Sequence, residues 1–568
     1  MFPTDTLSPD GQWFQKFRTS TDFQHLQERP IVYFCAEFAL MEKWPNYAGG
    51  LGILAGDYIS ESADQQIPVV GVSLYYKEGF TSKELSKAGE VVETHETMPT
   101  EVAEITLVTN ESSEPVQITL PIGDNKVVVQ AWLWQRGSTK IYFLDTDLEK
   151  NDPKDRNITK KLYVMDKETR LKQEFIMGVG GLRFLEALKI HPSEYHLNEG
   201  HCGFLVFELI HHEMLERKIE FAQARTIAKE KILFSNHTLV AAGNDVFSDD
   251  LVALVFQKYA EELQVPVKTL VDLGLVQESS SFSMTMLGLR SAGVINAVSK
   301  LHQEKAAEIW HDHPMIAITN GIHIPTWDKV GDTEQIWSKH QENKRALLQL
   351  IEQETQEKWD ENTILLGWAR RIVQYKRPLA VIERLKWFCE IAKASDQPIR
   401  LVYSGLAHPA DEDGTRTLEE LQYRLSNDLK GIAVYLPNYN KELSKVLTAG
   451  CDMWVNTPVV GFEACGTSGM KAALNGSLPL TTKDGWIHEI EMYQVGWLLD
   501  DANVTNDILE KLVNEILPIY YQRNEQNIPE AWIMMMKNAR NLIVNNFSMT
   551  RALHEYLEKG MNLKLNAK

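Results

Sequence analysis

Short apolar runs alternate with longer amphipathic stretches in both halves of the chain. Apolar runs of this length are typical of strands buried on both faces, and their alternation with helical patterns is typical of parallel sheets covered by helices. The pattern therefore predicts an α/β fold. Seven runs carry the prediction: 31–34, 69–76 and 232–234 in the first half, and 364–367, 401–403, 433–436 and 453–455 in the second.

The pattern changes over residues 101–148, where apolar and polar positions alternate around a Gly-Asp-Asn turn. This alternation predicts an antiparallel insertion. A second change follows Ile322, where a turn signal is succeeded by Pro325 and a polar, helix-rich stretch. We therefore predict two Rossmann-like, doubly wound domains, 1–322 and 323–568, with the last helix packing back on the first domain.

Ligands of such sheets collect at the carboxyl ends of the strands, so two facing domains would form a central cleft lined by both. The 568 residues, 44% of them hydrophobic, are enough for two such cores. The net charge of -20 argues against a nucleic-acid partner, which would need a basic face.

The five cysteines show no paired spacing, which predicts free thiols in a reducing compartment and no metal site. The first residues lack the basic start and apolar core of a signal peptide, and no uncharged stretch reaches the ~20 residues of a membrane span. We expect a cytoplasmic protein with no membrane partner.

The segment 463–471, Glu-Ala-Cys-Gly-Thr-Ser-Gly-Met-Lys, places Lys471 on the first turn of a predicted helix that stops near Asn475-Gly476. The first amides of a helix lack internal partners and lie at the positive end of its dipole, so they bind anions well. A strand is predicted just before it, at 452–455. The segment therefore predicts a phosphate site.

Two other interpretations of this segment are weaker. Ser468 and Lys471 have the spacing of the serine and lysine in penicillin-recognising enzymes, but no Ser-Asp-Asn or Lys-Thr-Gly follows. A solvent-exposed helix lysine is the ordinary alternative. The other motifs of the sequence make this solvent-exposed alternative for Lys471 less favoured.

A glycine-rich run at 48–56 leads into a helical pattern and could bring backbone amides to a phosphate. Its Gly50, Gly52 and Ala55 also match a dinucleotide fingerprint, but no acidic residue ends the next strand, so NAD binding is not expected.

Four cations, Arg370, Arg371, Lys376 and Arg377, follow the strand 364–367. The interleaved apolar residues leave no clean polar face, so we favour an anion site over a solvated surface. Arginine offers a planar fork and lysine a mobile point charge, a mixture that suits two neighbouring phosphates.

Two histidine segments, 196–201 and 235–238, each follow a short apolar run and are expected at strand ends. No carboxylate or cysteine stands at metal-ligand spacing, and His211-His212-Glu213 lacks the His-Glu-x-x-His pattern. We expect neutral polar contacts with a sugar or an amide rather than a metal.

Taken together, these segments resemble the alpha-glucan phosphorylases (glycogen, starch and maltodextrin phosphorylases), in particular the short bacterial and archaeal type. The resemblance runs from about residue 31 to about residue 497. The matching motifs, in order, are 33–38, 49–52, 196–201, 237–245, 319–322, 370–377, 407–411 and 463–471 with Asp484-Gly485-Trp486 after it.

The resemblance implies two Rossmann-like domains in the glycosyltransferase type B arrangement. It also implies a retaining transferase that uses inorganic phosphate to release glucose 1-phosphate from the terminal α-1,4-linked glucose of glycogen or maltodextrin. The expected cofactor is pyridoxal 5'-phosphate, bound as a Schiff base to Lys471, whose phosphate exchanges a proton with the substrate phosphate. A homodimer is compatible with this reading.

The resemblance also assigns roles to individual positions. The catalytic positions are His237, Arg371, Lys376 and Glu463. The cofactor-binding positions are Lys471, Arg370, Thr467, Ser468, Tyr439 and Gly50. The substrate-binding positions are Gly49, Leu51, His201, Asn320, Cys465 and Gly466.

Within this scheme Arg371 and Lys376 hold the substrate phosphate with amides of the glycine loop. Arg370 and the first amides of the 467–474 helix hold the cofactor phosphate. Glu463 holds sugar hydroxyls, and the carbonyl of His237 faces the anomeric carbon.

The chain departs from the family pattern at three places. Cys465 stands where serine is usual, Leu406 where a lysine is usual, and Val459-Val460 where the short type has two arginines. Two rival hypotheses therefore remain, a nucleotide-sugar glucosyltransferase of the glycogen or starch synthase kind and a glucan-binding homologue with impaired catalysis.

Overall fold

A computed structural model describes residues 8–40, 44, 46–95, 104–239, 243–276, 280–394 and 396–565, without the side chain of residue 95. Residues 101–103 of the predicted insertion and 240–242 of the motif 237–245 lie outside the described residues. Among the described helices, none is both long enough and apolar enough to cross a membrane.

The strands are β1 (Ile31–Cys35), β2 (Val69–Leu74), β3 (Thr81–Leu85), β4 (Val91–His95), β5 (Ile105–Leu107), β6 (Ile118–Ile122), β7 (Asn125–Arg136), β8 (Thr139–Asp145), β9 (Glu194–Asn198), β10 (Ile232–Asn236), β11 (Val246–Ser248), β12 (Leu275–Val276), β13 (Ser281–Ser283), β14 (Val294–Ala297), β15 (Ile316–Ala317), β16 (Ile364–Ala369), β17 (Ile399–Ser404), β18 (Ala433–Tyr435), β19 (Met453–Asn456), β20 (Leu478–Thr482) and β21 (Trp497–Leu499).

The α-helices are α1 (Pro9–Phe17), α2 (Thr21–Glu28), α3 (Gly50–Asp64), α4 (Pro153–Arg156), α5 (Lys167–Phe175), α6 (Gly181–Ala187), α7 (Leu205–Arg217), α8 (Phe221–Glu230), α9 (Asp249–Glu262), α10 (Val267–Gly274), α11 (Met284–Ser291), α12 (Lys300–Ile309), α13 (Ile324–Trp327), α14 (Ile336–Thr355), α15 (Leu385–Ala392), α16 (Glu412–Ser426), α17 (Lys441–Gly450), α18 (Thr467–Leu474), α19 (Val504–Lys511), α20 (Leu517–Tyr521), α21 (Glu530–Asn546) and α22 (Met549–Glu555).

Most of the described strands form two large sheets, and two small sheets, β11-β13-β12 and β3-β4, take the others. The first has the order β15-β14-β10-β9-β1-β2-β8-β7-β5, with β6 also paired to β7. Its strands from β15 to β8 are parallel, whereas β7 runs antiparallel to β8, β5 and β6. The second sheet is parallel throughout, in the order β18-β17-β16-β19-β20-β21. The prediction of an α/β fold with parallel sheets is confirmed, while the division into two domains at residue 322 stays a prediction.

Both faces of each sheet are covered, which explains the continuous apolar runs. In β1, Val32 and Phe34 belong to one hydrophobic core, and the alternating Tyr33 belongs to another. In β16, Leu366 belongs to one hydrophobic core and its neighbour Leu365 belongs to another. A strand whose two faces are both buried needs apolar residues at every position.

The C-terminal segment returns to the first sheet. Just before α22, the backbone packs against residues 321–322. Ile322 N donates to Phe547 O at 3.0 Å, and Met549 N donates to Ile322 O at 2.7 Å. A Cβ on Gly321 would lie 2.3 Å from Ser548 O, so only glycine allows this crossing. Helix α22 then packs against α1 and α3.

A buried ion pair fastens α14 to the second sheet. Lys344 Nζ lies 2.6 Å from Asp452 Oδ2 and 2.9 Å from Tyr520 Oη, and neither member of the ion pair is exposed. Asp452 also accepts from Leu365 N at 2.7 Å and pairs with His340 Nε2 at 3.1 Å. Burial alone would raise the pKa of Asp452, but Lys344 and His340 hold it below its usual value.

We expect Lys344→Met to destabilise the fold strongly, because it leaves the Asp452 carboxylate buried without its cation. Breaking a buried pair in this way costs about 3–5 kcal/mol of unfolding free energy, and the melting temperature should fall accordingly in calorimetry. Lys339→Met is the matched control, since Lys339 lies on the same helix in an exposed pair with Glu342. Equal melting temperatures for the two variants would contradict a stabilising role of the buried pair of Lys344 and Asp452.

Candidate active site

The segment 453–475 folds as a strand, a loop and a helix, as the sequence predicts. Strand β19 ends at Asn456, and α18 begins at Thr467 after Gly466, which has φ +81° and provides no side-chain cap. The first amides of α18 therefore have no acceptor within the helix. Gly476, with φ +85°, follows its last turn.

Lys471 lies in the interior of the protein, with 4% of its surface exposed. Its Nζ is 4.0 Å from the centroid of the Trp327 ring, and the described residues give it no ion pair. Trp327 Nε1 donates to both carboxylate oxygens of Asp57, at 2.9 and 3.0 Å. Burial lowers the pKa of Lys471 to about 8; Asp57 opposes this shift and Lys441 adds to it.

Arg370, directly after β16, is bound to the loop before α18 and to its first turn. Its Nη1 lies 3.1 Å from Glu463 Oε2 and its Nη2 lies 3.4 Å from Ser468 Oγ. Its buried Nε has no hydrogen-bond partner. Lys376 Nζ lies 3.4 Å from the other carboxylate oxygen, Oε1 of Glu463. One carboxylate thus bridges two cations that the sequence assigned to different phosphates.

The charges of this cluster influence one another. Burial lowers the pKa of Lys376 to about 8, and the Glu463 carboxylate opposes that shift. Burial would raise the pKa of Glu463, but Lys376 and Arg370 together hold it below its usual value. The carboxylate therefore stays ionised at neutral pH and offsets part of the positive charge.

Arg371 is exposed to solvent and lies beside the glycine-rich run. A Cβ on Gly49 would be 3.9 Å from Arg371 Nη2. The described residues include no ion pair of Arg371. Its guanidinium is therefore available to an anion at the start of α3.

The start of α3 shows which amides of the glycine-rich run are free. Glu37 Oε2 accepts the N–H groups of Ala48 and Gly49, at 2.7 and 3.1 Å. The predicted contribution of the Gly49 amide thus competes with an internal hydrogen bond. The amides of Gly50 and Leu51 lie in the first turn of α3, where the helix offers no acceptor.

Glu37 is a buried residue to which the sequence analysis gave no role beyond membership of the motif 33–38. Its second oxygen, Oε1, accepts a hydrogen bond from the Tyr163 hydroxyl. A Cβ on Gly52 would be 2.9 Å from Glu37 Cβ and 2.4 Å from Tyr47 Cβ, so glycine lets α3 approach this acid. The signal in the sequence that could have identified Glu37 is an acidic residue within an apolar, buried segment.

His237 directly follows β10, as predicted. Its backbone N–H donates to Glu199 Oε1 at 2.6 Å, and its ring Nε2 pairs with Asn198 Oδ1. Burial lowers the pKa of His237 to about 3, and the neighbouring His302 adds to the effect. The ring is therefore neutral. Glu199, whose φ is +75°, holds a left-handed backbone conformation that is strained for a residue other than glycine.

The segment 196–201 does not lie wholly at a strand end. His196 is inside β9, where its Nε2 pairs with Ser235 Oγ at 2.8 Å, so its role is in the core. His201 follows the strand, and its Nε2 is 3.5 Å from Asp245 Oδ2. Burial, reinforced by Arg170, lowers the pKa of His201 to about 4.

Asn320 and Cys465 meet at the other side of the α18 loop. The backbone N–H of Asn320 lies against the Cys465 thiol, and the buried Asn320 Oδ1 has no hydrogen-bond partner. Burial raises the pKa of Cys465, so the thiol stays neutral. A Cβ on Gly485, φ +54°, would be 2.2 Å from Cys465 O, which requires glycine in the Asp484-Gly485-Trp486 motif.

Tyr439 lies at the end of the second sheet near Arg370. Its hydroxyl donates to Ala369 O at 3.2 Å, and burial raises its pKa while Arg370 and a hydrogen bond with Ser444 oppose that shift. The structure thus brings Arg370, Lys376, Glu463 and Ser468 into direct contact. Among the described residues, neither His237 nor Lys471 forms a hydrogen bond or an ion pair with Glu463.

Comparison with known proteins places the chain among relatives that match nearly all of it. Residues 326–497 match the family described as Carbohydrate phosphorylase. A maltodextrin phosphorylase of Thermococcus litoralis is 33% identical over 97% of this chain and 72% of its own length. A glycogen phosphorylase of Aquifex aeolicus is 30% identical over 94% and 87%, and one of Mycobacterium tuberculosis is 29% identical over 96% and 72%. The chain belongs to the carbohydrate phosphorylase family.

Proposed function

We propose that this chain is a retaining α-glucan phosphorylase. It would break the bond between C1 of the terminal α-1,4-linked glucose and the glycosidic oxygen of glycogen or maltodextrin. A phosphate oxygen would form the new bond to C1, and the released chain would take up a proton. The observation that carries the proposal is the contact of Arg370, Lys376 and Glu463 beside the first turn of α18.

Pyridoxal 5'-phosphate is the cofactor that we propose for this site. Lys471 would attach it covalently, while Arg370, the amides of Thr467 and Ser468, and Tyr439 would hold it. Two observations support the fit: Lys471 is buried without an ion pair among the described residues, and Arg370 Nε is buried without a partner. When bound, the cofactor would supply a second phosphate group that exchanges a proton with the substrate phosphate.

The substrate phosphate would lie between Arg371, Lys376 and the first amides of α3. Positive groups fixed in a water-poor site stabilise developing negative charge far better than the same groups in water. A bound phosphate would also draw Lys376 away from Glu463, with which it now pairs. The freed carboxylate oxygen could then accept a sugar hydroxyl.

The sugar would be held by groups from both halves of the chain, of which Asn320 and Cys465 are in contact. Asn320 Oδ1 is buried without a partner, and the Cys465 position can act through its backbone amide even though it lacks a hydroxyl. Gly466 and the His237 carbonyl would complete this side, with His201 behind it. Neutral histidines suit this task, because a charged ring would repel an oxocarbenium-like centre.

We also propose that the two large sheets are the cores of two Rossmann-like domains in the glycosyltransferase type B arrangement, divided near residue 322. Contacts between the two parts are extensive enough to support one shared site. Lys441 Nζ donates to Ala39 O at 2.8 Å, and Ser299 Oγ donates to Ala464 O at 2.6 Å.

The proposed reaction is tested by incubating the purified protein with pyridoxal 5'-phosphate, maltodextrin and inorganic phosphate and measuring glucose 1-phosphate. We expect turnover in the wild type and none in Lys471→Ala, because the cofactor loses its attachment. Incorporation of glucose from a nucleotide sugar would favour a synthase instead. Glucan binding without either reaction would favour the catalytically impaired homologue.

We expect Arg371→Ala to lower kcat for phosphorolysis by about 10²–10³-fold, the usual effect of removing one charge-stabilising donor. The cofactor should remain bound, as judged by the absorbance of the attached pyridoxal, since Arg370 and α18 are intact. Arg384→Ala is the control, because Arg384 is exposed and its side chain bonds only to Asn506 among the described residues. Loss of cofactor from Arg371→Ala would refute this division of roles.

The amine of Lys471 should titrate far below an ordinary lysine. We expect its chemical labelling in the cofactor-free protein, followed by mass spectrometry, to be half-maximal near pH 8. The same residue in the urea-unfolded chain should titrate at about 10.4.

Two variants test the cause of this shift by moving it in opposite directions. Asp57→Asn should move the midpoint to lower pH, because it removes a negative charge. Lys441→Met should move it to higher pH, because it removes a positive one. An unchanged midpoint in both variants would contradict the electrostatic account.

A further inference from the structure

An exposed aromatic ring stands directly beside Glu463. Phe462 has 49% of its surface exposed, although large apolar side chains are usually covered. Its ring stacks on Tyr375, with centroids 6.0 Å apart and planes inclined by 29°. Tyr375 precedes Lys376 just as Phe462 precedes Glu463, so the two rings sit on the two loops that carry the charged pair.

The backbone holds this aromatic pair in place. Val459 N donates to Tyr375 O at 2.8 Å, which ties the two loops together. Asp484 accepts the amides on both sides of Phe462, from Gly461 at 3.1 Å and from Glu463 at 2.9 Å. Phe462 is thus displayed from a clamped segment, and a ligand that packs on its ring loses little of its binding energy to ordering the loop.

The surroundings of the pair distinguish it from the neighbouring phosphate site. Val459 and Val460, both partly exposed, give the loop no charge at the positions where the family's short type has arginines. Gly461 turns with φ +91°, and its Cβ position faces the side chain of Lys305 on α12 at 3.5 Å. The exposed Phe462 ring and the two valines therefore lie between the cluster of Lys376 and Glu463 and the side chain of Lys305 on α12.

A glucose ring of an α-glucan fits this surface chemically. A pyranose has C–H groups on one face and hydroxyls around its rim, so an aromatic face can cover the apolar side while the rim stays in water. A free phosphate ion would gain nothing from two uncharged rings and two valines. A nucleotide base could stack on the same rings, but the substrates of the proposed reaction carry no base. The next sugar of the chain, by contrast, must lie close to the glucose that Glu463 would hold.

We propose that Tyr375 and Phe462 form a platform for a glucose unit of the α-glucan next to the reacting glucose. This inference rests on the proposed function, because it places the platform beside the glucose site. The ligand of the platform is a sugar of the substrate chain. The two rings would bind that chain at a loop where Val459 and Val460 replace the arginine pair.

Steady-state phosphorolysis of maltoheptaose tests the proposal with the holoenzyme. We expect Phe462→Ala to raise KM for maltoheptaose about tenfold, the loss of one aromatic stacking contact. KM for inorganic phosphate should stay the same, and Phe462→Trp should restore the glucan KM. Tyr493→Ala is the control, since Tyr493 is also aromatic and 84% exposed but lies outside the site.

Three results would overturn the proposal. The first is an unchanged KM for maltoheptaose in Phe462→Ala. The second is an equal rise in KM for phosphate, which would mean that the loop and its charged pair are disturbed. The third is a change only in self-association by analytical ultracentrifugation, which would mean that a second copy covers the ring.

Calorimetric titration with maltoheptaose separates this proposal from the proposed reaction. If the wild type releases no glucose 1-phosphate but binds maltoheptaose about tenfold more tightly than Phe462→Ala, the platform proposal is supported and the proposed phosphorolysis is refuted. If the wild type turns over and both proteins bind equally, the platform fails alone. Absence of maltoheptaose binding by the wild type would also overturn it.

Discussion

The arrangement of the site depends on one electrostatic constraint, the gathering of positive charge inside an acidic protein. Like charges repel strongly where water is scarce, so Arg370 and Lys376 need a counterion before any ligand arrives. Glu463 supplies it by bridging both at 3.1 and 3.4 Å. The bridging carboxylate therefore offsets part of this positive charge within the protein itself.

The same constraint explains the separation of the two lysines. Lys376 pairs with the bridging carboxylate, whereas Lys471 packs on Trp327 at the far side of α18. The covalent role that we propose for Lys471 would need a neutral amine within reach at physiological pH. Burial lowers the pKa of Lys471 to about 8, and the charge of Asp57 offsets only part of that shift.

Small residues and backbone clamps give these charges their positions. Gly52 and Gly485 allow segments to approach more closely than any side chain would permit. Glu37 accepts two backbone N–H groups of the glycine-rich run. Asp484 accepts three backbone N–H groups, two of them in the loop before α18. These hydrogen bonds fix both loops. The Asp484 contacts also fix the segment that carries the exposed ring of Phe462.

The sequence by itself determined the fold class, since seven apolar runs became strands of sheets whose two faces are both covered. It also determined the strand, loop and helix around Lys471, because glycine, helix propensity and the stop at Asn475-Gly476 act locally. Where local pattern failed, as at His196 inside β9, burial on both faces had overridden the expected strand end. Only the tertiary structure decided that Glu463 bridges two cations, that Glu37 occupies the Gly49 amide, and that Trp327 and Asp57 surround Lys471. These contacts join residues 12 to 414 positions apart along the chain, and no local pattern encodes which of the many buried polar groups will meet.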